Sequence, residues 1–220
     1  MKRVHFAPLT AALLAAITGT SGANVKHTIG TQRSTRVVEL PIDVARVPAE
    51  CRAFLAIPTD STSELLPWQQ KLSLAACRAD VTVAPVTAPG QLGAVVATLD
   101  DAMAPSRTIY RDAIAHGPDR IRILAAYGLG MTYVEVIVRA RDAIVADSGF
   151  GGSTYGGRYE RSHAMHFALE HLLASDRDAA LAAFDEAARV ADADPAAARA
   201  DQVTELAVAN AWVEAEMLRE

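Results

Sequence analysis

The 220-residue chain carries 26 acidic and 21 basic residues, and 51% of its residues are hydrophobic. The acidic excess lies near the end, since residues 158–220 hold 13 acidic against 6 basic residues. Nucleic-acid binding requires a basic face, so we do not expect DNA or RNA as a partner. After the N-terminal region, no stretch approaches the roughly 18 uncharged apolar residues of a membrane-spanning helix.

The N-terminus has the layout of a secretory signal peptide. Residues 1–3 form a cationic start, an apolar run covers residues 11–17, and small residues follow up to Ala23. This order is typical of a cleaved signal peptide, and the apolar run is too short to span a bilayer of about 30 Å. We therefore predict a signal peptide at residues 1–23 and an exported protein, either periplasmic or secreted.

The next part of the chain divides into a leader and a helical region. Residues 24–47 are predicted to be an extended leader, in which Pro41 confines any strand to a sheet edge. Residues 48–146 show the apolar spacing that is typical of helices. The predicted helices cover residues 49–57, 68–79, 92–103, 106–115 and 119–146.

The helical region contains both cysteines of the chain, Cys51 and Cys77. In an oxidising compartment, an even number of cysteines predicts a disulfide. This bond would join the first two predicted helices and stabilise the fold by about 3 to 4 kcal/mol in the chain-entropy model. The alternative is a pair of buried free thiols, and a redox role is not favoured because the chain has no C-x-x-C motif.

Residues 147–157 include five glycines. Because each glycine costs about 1 kcal/mol in a helix relative to alanine, we predict a linker here, with a mobile functional loop as the alternative. Two short glycine motifs lack essential residues. Tyr155 stands where the last glycine of G-x-S-x-G belongs, and residues 128–133 miss the third glycine of a dinucleotide-binding loop. We therefore predict no catalytic residue and no cofactor.

Residues 158–220 are predicted to form a helical hairpin and a capping helix, over residues 159–174, 176–191 and 196–219. Ser175 and Asp176 are placed to cap the second of these helices. Large and small residues occupy particular positions of the hairpin. These are Phe167, Ala168 and His171 on the first helix, and Ala180, Phe184 and Ala187 on the second. Over roughly residues 161–194, this pattern resembles a tetratricopeptide repeat.

A second fragment resembles the first helix of the same repeat, because Leu129, Gly130 and Tyr133 copy its L-G-x-x-Y motif. The resemblance implies an antiparallel helical hairpin and the binding of a protein or peptide rather than catalysis. Any alanine-rich antiparallel helix pair would share part of the pattern. The predicted fold class is mainly α, a multi-helix bundle with a tetratricopeptide-like antiparallel helix hairpin at the C-terminal end.

The first helix of the predicted hairpin contains three histidines, His163, His166 and His171. At about 100° per residue, His163, His166 and Glu170 share an arc of about 60° and could chelate a divalent metal. The opposite side of the same helix carries Met165 and Leu169. The alternative is therefore an amphipathic helix whose histidines face solvent.

Two hypotheses follow for the function. The preferred one is an exported helical scaffold that binds a protein or peptide, with an exposed groove between residues 119 and 219 and no buried acid or base whose pKa is displaced. The alternative is a small metal-binding, metal-dependent or hydrolytic protein that uses His163, His166 and Glu170. It predicts that these side chains converge with another Asp, Glu or His.

Overall fold

The computed structural model of the protein describes residues 35–58, 61–77, 81–144 and 155–220, with the backbone alone for Pro58 and residues 155–162. The strands are β1 (Thr35–Val37) and β2 (Ala56–Pro58). The helices are α1 (Leu66–Ala76), α2 (Leu92–His116), α3 (Asp119–Asp142), α4 (Tyr155–Leu172), α5 (Ala174–Ala193), α6 (Pro195–Ala198) and α7 (Gln202–Arg219). The predicted mainly α fold is confirmed, while the signal peptide at 1–23 and most of the linker at 147–157 lie outside the described residues.

The described part of the predicted leader contains strand β1. It pairs antiparallel with β2, with Arg36 opposite Ile57. The helix predicted over residues 49–57 is a shorter 3-10 helix, Ala49–Leu55. It ends there because the Leu55 carbonyl accepts a hydrogen bond from the Val38 amide at 2.8 Å and the chain turns into β2. Strand pairing thus replaces the last helical turn.

Helix α2 continues through Pro105, although the sequence predicted two helices, 92–103 and 106–115. An interior proline costs about 3 kcal/mol, because it has no N–H and its ring crowds the carbonyl four residues earlier. That cost is offset by burial on both sides of the proline, where Met103 and Ile109 lie in two different hydrophobic clusters. The predicted break was therefore wrong.

Helices α2 and α3 form the antiparallel pair at the centre of the fold. Tyr110 lies beside Gly128, and Arg107 lies beside Thr132, so residues later in one helix contact residues earlier in the other. Helix α3 also packs on α1, α5 and α7. Its middle is buried on most sides, as its apolar residues predicted.

Two glycines let neighbouring helices come close to α3. A Cβ added at Gly128 would lie 2.6 Å from the ring of Tyr110 on α2, and one added at Gly130 would overlap the ring of Phe184 on α5. The glycines of residues 128–133 are therefore packing residues inside a helix. This explains why they match a dinucleotide-binding loop only in part.

Helix α5 runs antiparallel to both α3 and α7. On α3, Phe184 lies at Gly130 while Val190 clusters with Ile123. Toward α7, Asp185 in the middle of α5 forms an ion pair with Arg219, the last residue of α7. The C-terminal part of the molecule thus contains an antiparallel helix pair formed by α5 and α7.

Helix α4 leads directly into α5 instead of folding back along it. Hydrogen bonds from the Leu173 amide to the Leu169 carbonyl and from the Arg177 amide to the Leu173 carbonyl cross the junction, each 2.9 Å long. Met165, Leu169 and Leu173 pack on the first half of α2 and the last half of α3. The helices that lie alongside α5 are therefore α3 and α7. The resemblance of residues 161–194 to a tetratricopeptide repeat stays a prediction.

Two aspartates divide the last predicted helix, 196–219, into α6 and α7. The Asp194 carboxylate accepts hydrogen bonds from the Ala196 and Ala197 amides at 3.1 and 3.0 Å. The Asp201 carboxylate accepts one from the Thr204 amide at 2.9 Å. Each carboxylate satisfies amides that have no partner within the helix, so a new helix begins at each.

Within the described residues, α3 is the one helix long and apolar enough to cross a membrane, and 72% of that segment is buried inside the protein. A buried core helix of a soluble protein can have the same length and apolar composition.

Candidate functional site

The predicted metal ligands lie on the outer side of α4. His163 and His166 are exposed, and Met165 and Leu169 on the other side are buried. The Glu170 carboxylate accepts two hydrogen bonds from the Arg141 guanidinium, at 2.8 and 3.1 Å. The helix is thus amphipathic in the way that the alternative interpretation expected.

The metal assignment itself stays a prediction. Among the residues that the structure describes, no group of three or more His, Cys, Asp or Glu side chains is arranged to hold a metal ion. His171, also exposed on α4, packs edge-on against the exposed Phe167 ring, with the ring centres 4.6 Å apart. A metal that used His163 and His166 would have to draw Glu170 away from Arg141.

The predicted disulfide between Cys51 and Cys77 is confirmed, with the two Cα atoms 5.7 Å apart. It joins the 3-10 helix Ala49–Leu55 to the end of α1. Cys51 is fully buried. A disulfide fits an oxidising compartment, although it does not by itself show export.

A buried polar cluster lies where α2, α3 and α5 meet. The Arg107 guanidinium donates to Asp100 at 2.7 Å, to the Thr132 hydroxyl at 3.2 Å and to Asp176 at 3.5 Å. It also lies over the Tyr133 ring, 3.8 Å from the ring centre. Arg107 and Asp176 are only 8% and 5% exposed, whereas the Asp100 side chain is 34% exposed, so Arg107 joins a carboxyl group in the core to one at its edge.

The environment of Asp176 raises the pKa of its carboxyl group. Burial, and secondarily the neighbouring Asp100 carboxylate, raise the pKa of Asp176 from 3.8 to about 6, against the opposing effect of Arg107. Asp176 can therefore exchange a proton near pH 6. The expectation that the chain has no buried acid with a displaced pKa was wrong.

A second polar cluster joins α3 to α7. Burial, followed by the Glu214 carboxylate, raises the pKa of Tyr127 to about 12, while its hydrogen bond with Asn210 acts in the other direction. Burial also raises the pKa of Glu214. Tyr127 is buried, and Glu214 is a half-buried residue of α7 itself, so this cluster holds α7 against α3.

The Arg107 cluster was missed because its members are far apart in sequence. Asp176 was assigned to a helix cap, but α5 begins at Ala174 and the carboxyl group faces Arg107. A signal was present. Arg107 lies four residues after the buried Met103, and Asp176 lies four before the buried Ala180. A charged residue at a position of the apolar stripe indicates a buried ion pair.

No protein-family model matches the chain, and comparisons with curated proteins and with solved structures give no match. Any assignment of function therefore depends on the surfaces and clusters of the chain itself.

Proposed function

We propose that the protein is an exported helical scaffold that binds a basic, amphipathic segment of a partner protein on the outer side of α7. The observation that carries this proposal is the exposure of four large apolar side chains on a single helix. They are Leu206, Trp212, Val213 and Met217, exposed by 48, 64, 46 and 48%.

The two sides of α7 have different sizes of residue. The inner side is buried and made of small residues: Thr204, Ala207, Ala211 and Ala215. Leu206, Val213 and Met217 lie within an arc of about 40° on the other side, at about 100° per residue. The helix is therefore apolar on both faces, and the outer face has no cover among the described residues. Contiguous exposed apolar surface of this kind marks interaction sites in soluble domains.

The charges beside this stripe favour a basic partner. Glu205, Glu216 and Glu220 are exposed on α7. Arg219 is the single basic residue in 201–220, and it is already paired with Asp185 and Glu216. Charge complementarity orients a partner and accelerates its association. An amphipathic helix with Lys or Arg beside its apolar face fits this surface, in the way that helices dock into apolar grooves.

The resemblance to a tetratricopeptide repeat supports the same class of function. Its two fragments face each other across the contact between α3 and α5. Gly130 of the L-G-x-x-Y fragment lies against Phe184 of the second fragment. This family binds proteins and peptides.

The test uses a synthetic 14-residue helix of Leu and Lys and a control helix in which Glu replaces Lys. Trp212 reports binding by fluorescence, and a Trp68→Phe background removes the only other tryptophan. We expect the basic helix to bind, the acidic helix not to bind, and the affinity to fall as salt rises.

Val213→Asp and Met217→Asp should each weaken binding at least tenfold. Val37→Asp places the same charge at an exposed apolar position on strand β1 instead of α7 and should leave binding unchanged. Equal binding of both helices, or loss of binding in the Val37 variant alone, would overturn the proposal. So would a stable dimer in sedimentation that Val213→Asp dissociates, because a second copy would then cover the face.

Export is supported by the layout of residues 1–23 and by the disulfide. Mass spectrometry of the protein recovered from outside the cytoplasm should give an N-terminus at Asn24. An intact Met1 in that fraction would contradict cleavage.

A further inference from the structure

A cavity of about 230 Å³ lies beside the disulfide, between the N-terminal turns, the end of α1 and the middle of α2. Most of its wall is apolar. The aliphatic and proline side chains that line it are Ile42, Val47, Pro48, Leu74, Val81, Pro105 and Ile109. A cavity of roughly 150 Å³ holds benzene, so this one has room for about nine non-hydrogen atoms.

Three polar groups of the same cavity lack partners among the described residues. Ser106 is 5% exposed and its hydroxyl makes no hydrogen bond to another described residue, although it lines the cavity. Arg46 and Asp101 also line the cavity, and neither forms an ion pair with a described residue. The Ser106 hydroxyl is therefore available to a polar atom that enters the cavity.

The charged side chains of the lining have complementary roles. The Asp101 carboxylate, on α2, accepts hydrogen bonds. The Arg46 guanidinium, from the N-terminal turns, donates in a planar fork suited to a carboxylate.

We infer that this cavity binds a free aliphatic amino acid of about the size of leucine. Its carboxylate pairs with Arg46, its ammonium group donates to the Asp101 carboxylate, and its side chain fills the aliphatic interior. A zwitterion is the ligand class that satisfies a separate cation and anion at one small cavity. This site lies apart from the outer side of α7 and does not depend on the proposed function.

Isothermal titration of the mature protein with four probes tests the inference. Leucine should bind with a stoichiometry of one. 4-Methylpentanoate lacks the ammonium group, 3-methylbutylamine lacks the carboxylate, and glycine lacks the side chain. Each of these three should bind at least tenfold more weakly than leucine.

Arg46→Gln and Asp101→Asn should each weaken leucine binding at least tenfold, and Ala102→Leu, which fills the cavity, should abolish it. Arg46 and Asp101 are exposed and unpaired among the described residues, so their variants should keep the fold and the circular dichroism spectrum of the parent. Arg36→Gln and Asp142→Asn are the matched controls, because both residues are exposed and lie outside the cavity. They should leave leucine affinity within twofold of the parent.

Three results would overturn the inference: no heat of binding with leucine, equal affinity for leucine and 4-methylpentanoate, or the same loss in the control variants as in the cavity variants.

Discussion

The ring of Phe184 lies against the backbone of α3 at Gly130, where any Cβ would overlap it. Phe184 is 1% exposed. This contact between α3 and α5 therefore depends on the absence of a side chain at one position.

Gly130→Ala tests this contact. Alanine is better than glycine in a helix by about 1 kcal/mol, but overpacking a core typically costs about 1 to 3 kcal/mol. We expect a net loss in the free energy of unfolding, measured by urea denaturation. Gly93→Ala is the control, because nothing lies within 4 Å of a Cβ added there. It should be neutral or slightly stabilising, and a similar loss in both variants would contradict the account.

Asp176 should make stability depend on pH. Its pKa is raised to about 6 in the folded chain, so between about pH 4 and pH 6 the folded state holds a proton that the unfolded state has lost. The contribution of this group to stability is therefore present at low pH and falls as pH rises toward 6. The rise is about two pKa units and one unit corresponds to about 1.4 kcal/mol, so Asp176→Asn should raise stability at pH 7 by up to about 3 kcal/mol.

Denaturant titrations at pH 4, 5, 6 and 7 check this prediction. The difference in stability between the variant and the parent should grow with pH. Because the other carboxyl groups are the same in both proteins, their effect cancels in this difference. A difference that is constant with pH would show that Asp176 does not titrate in this range.

Arg107→Met removes the cation between Asp100 and Asp176. Breaking a buried ion pair by removing one partner typically costs about 3 to 5 kcal/mol. The loss should be smaller at pH 5 than at pH 7, because Asp176 can then take up a proton. Arg189→Met is the control. Arg189 is exposed, so its removal should change the free energy of unfolding little, and equally at both pH values.

The disulfide should account for a large part of the stability. It closes a loop with a sequence separation of 26, which corresponds to about 3.5 kcal/mol in the chain-entropy model. We expect the double variant Cys51→Ser, Cys77→Ser to be destabilised by roughly this amount. Reductant should lower the midpoint of unfolding of the parent and leave that of the double variant unchanged. An effect of reductant on both proteins would have another origin.

The metal hypothesis is decided by zinc and iron analysis of protein purified without an affinity tag. Because Glu170 is held by Arg141, we expect no stoichiometric metal. Metal that is retained by the parent and lost in a His163→Ala, His166→Ala variant would overturn this expectation. The same variant keeps the buried side of α4 intact, so the comparison does not depend on stability.

The sequence predicted the features that depend on local chemistry. The spacing of apolar residues gave the helical class, and the two cysteines gave the disulfide. The break expected at Pro105 failed because tertiary packing outweighs the local cost of a proline. The position of Arg107 on an apolar stripe could have indicated a buried ion pair. Its partner Asp176, and the contact of Gly130 with Phe184, were not predictable, because they join residues from different helices whose pairing no local pattern specifies.

The small residues on the inner side of α7 limit which substitutions the last helix tolerates. Ala207, Ala211 and Ala215 are almost fully buried, and they belong to the same hydrophobic cluster as Tyr127 of α3. A longer side chain at any of these three positions would have to push α7 away from the middle helix. The spacing between these two helices is therefore set by missing side-chain volume.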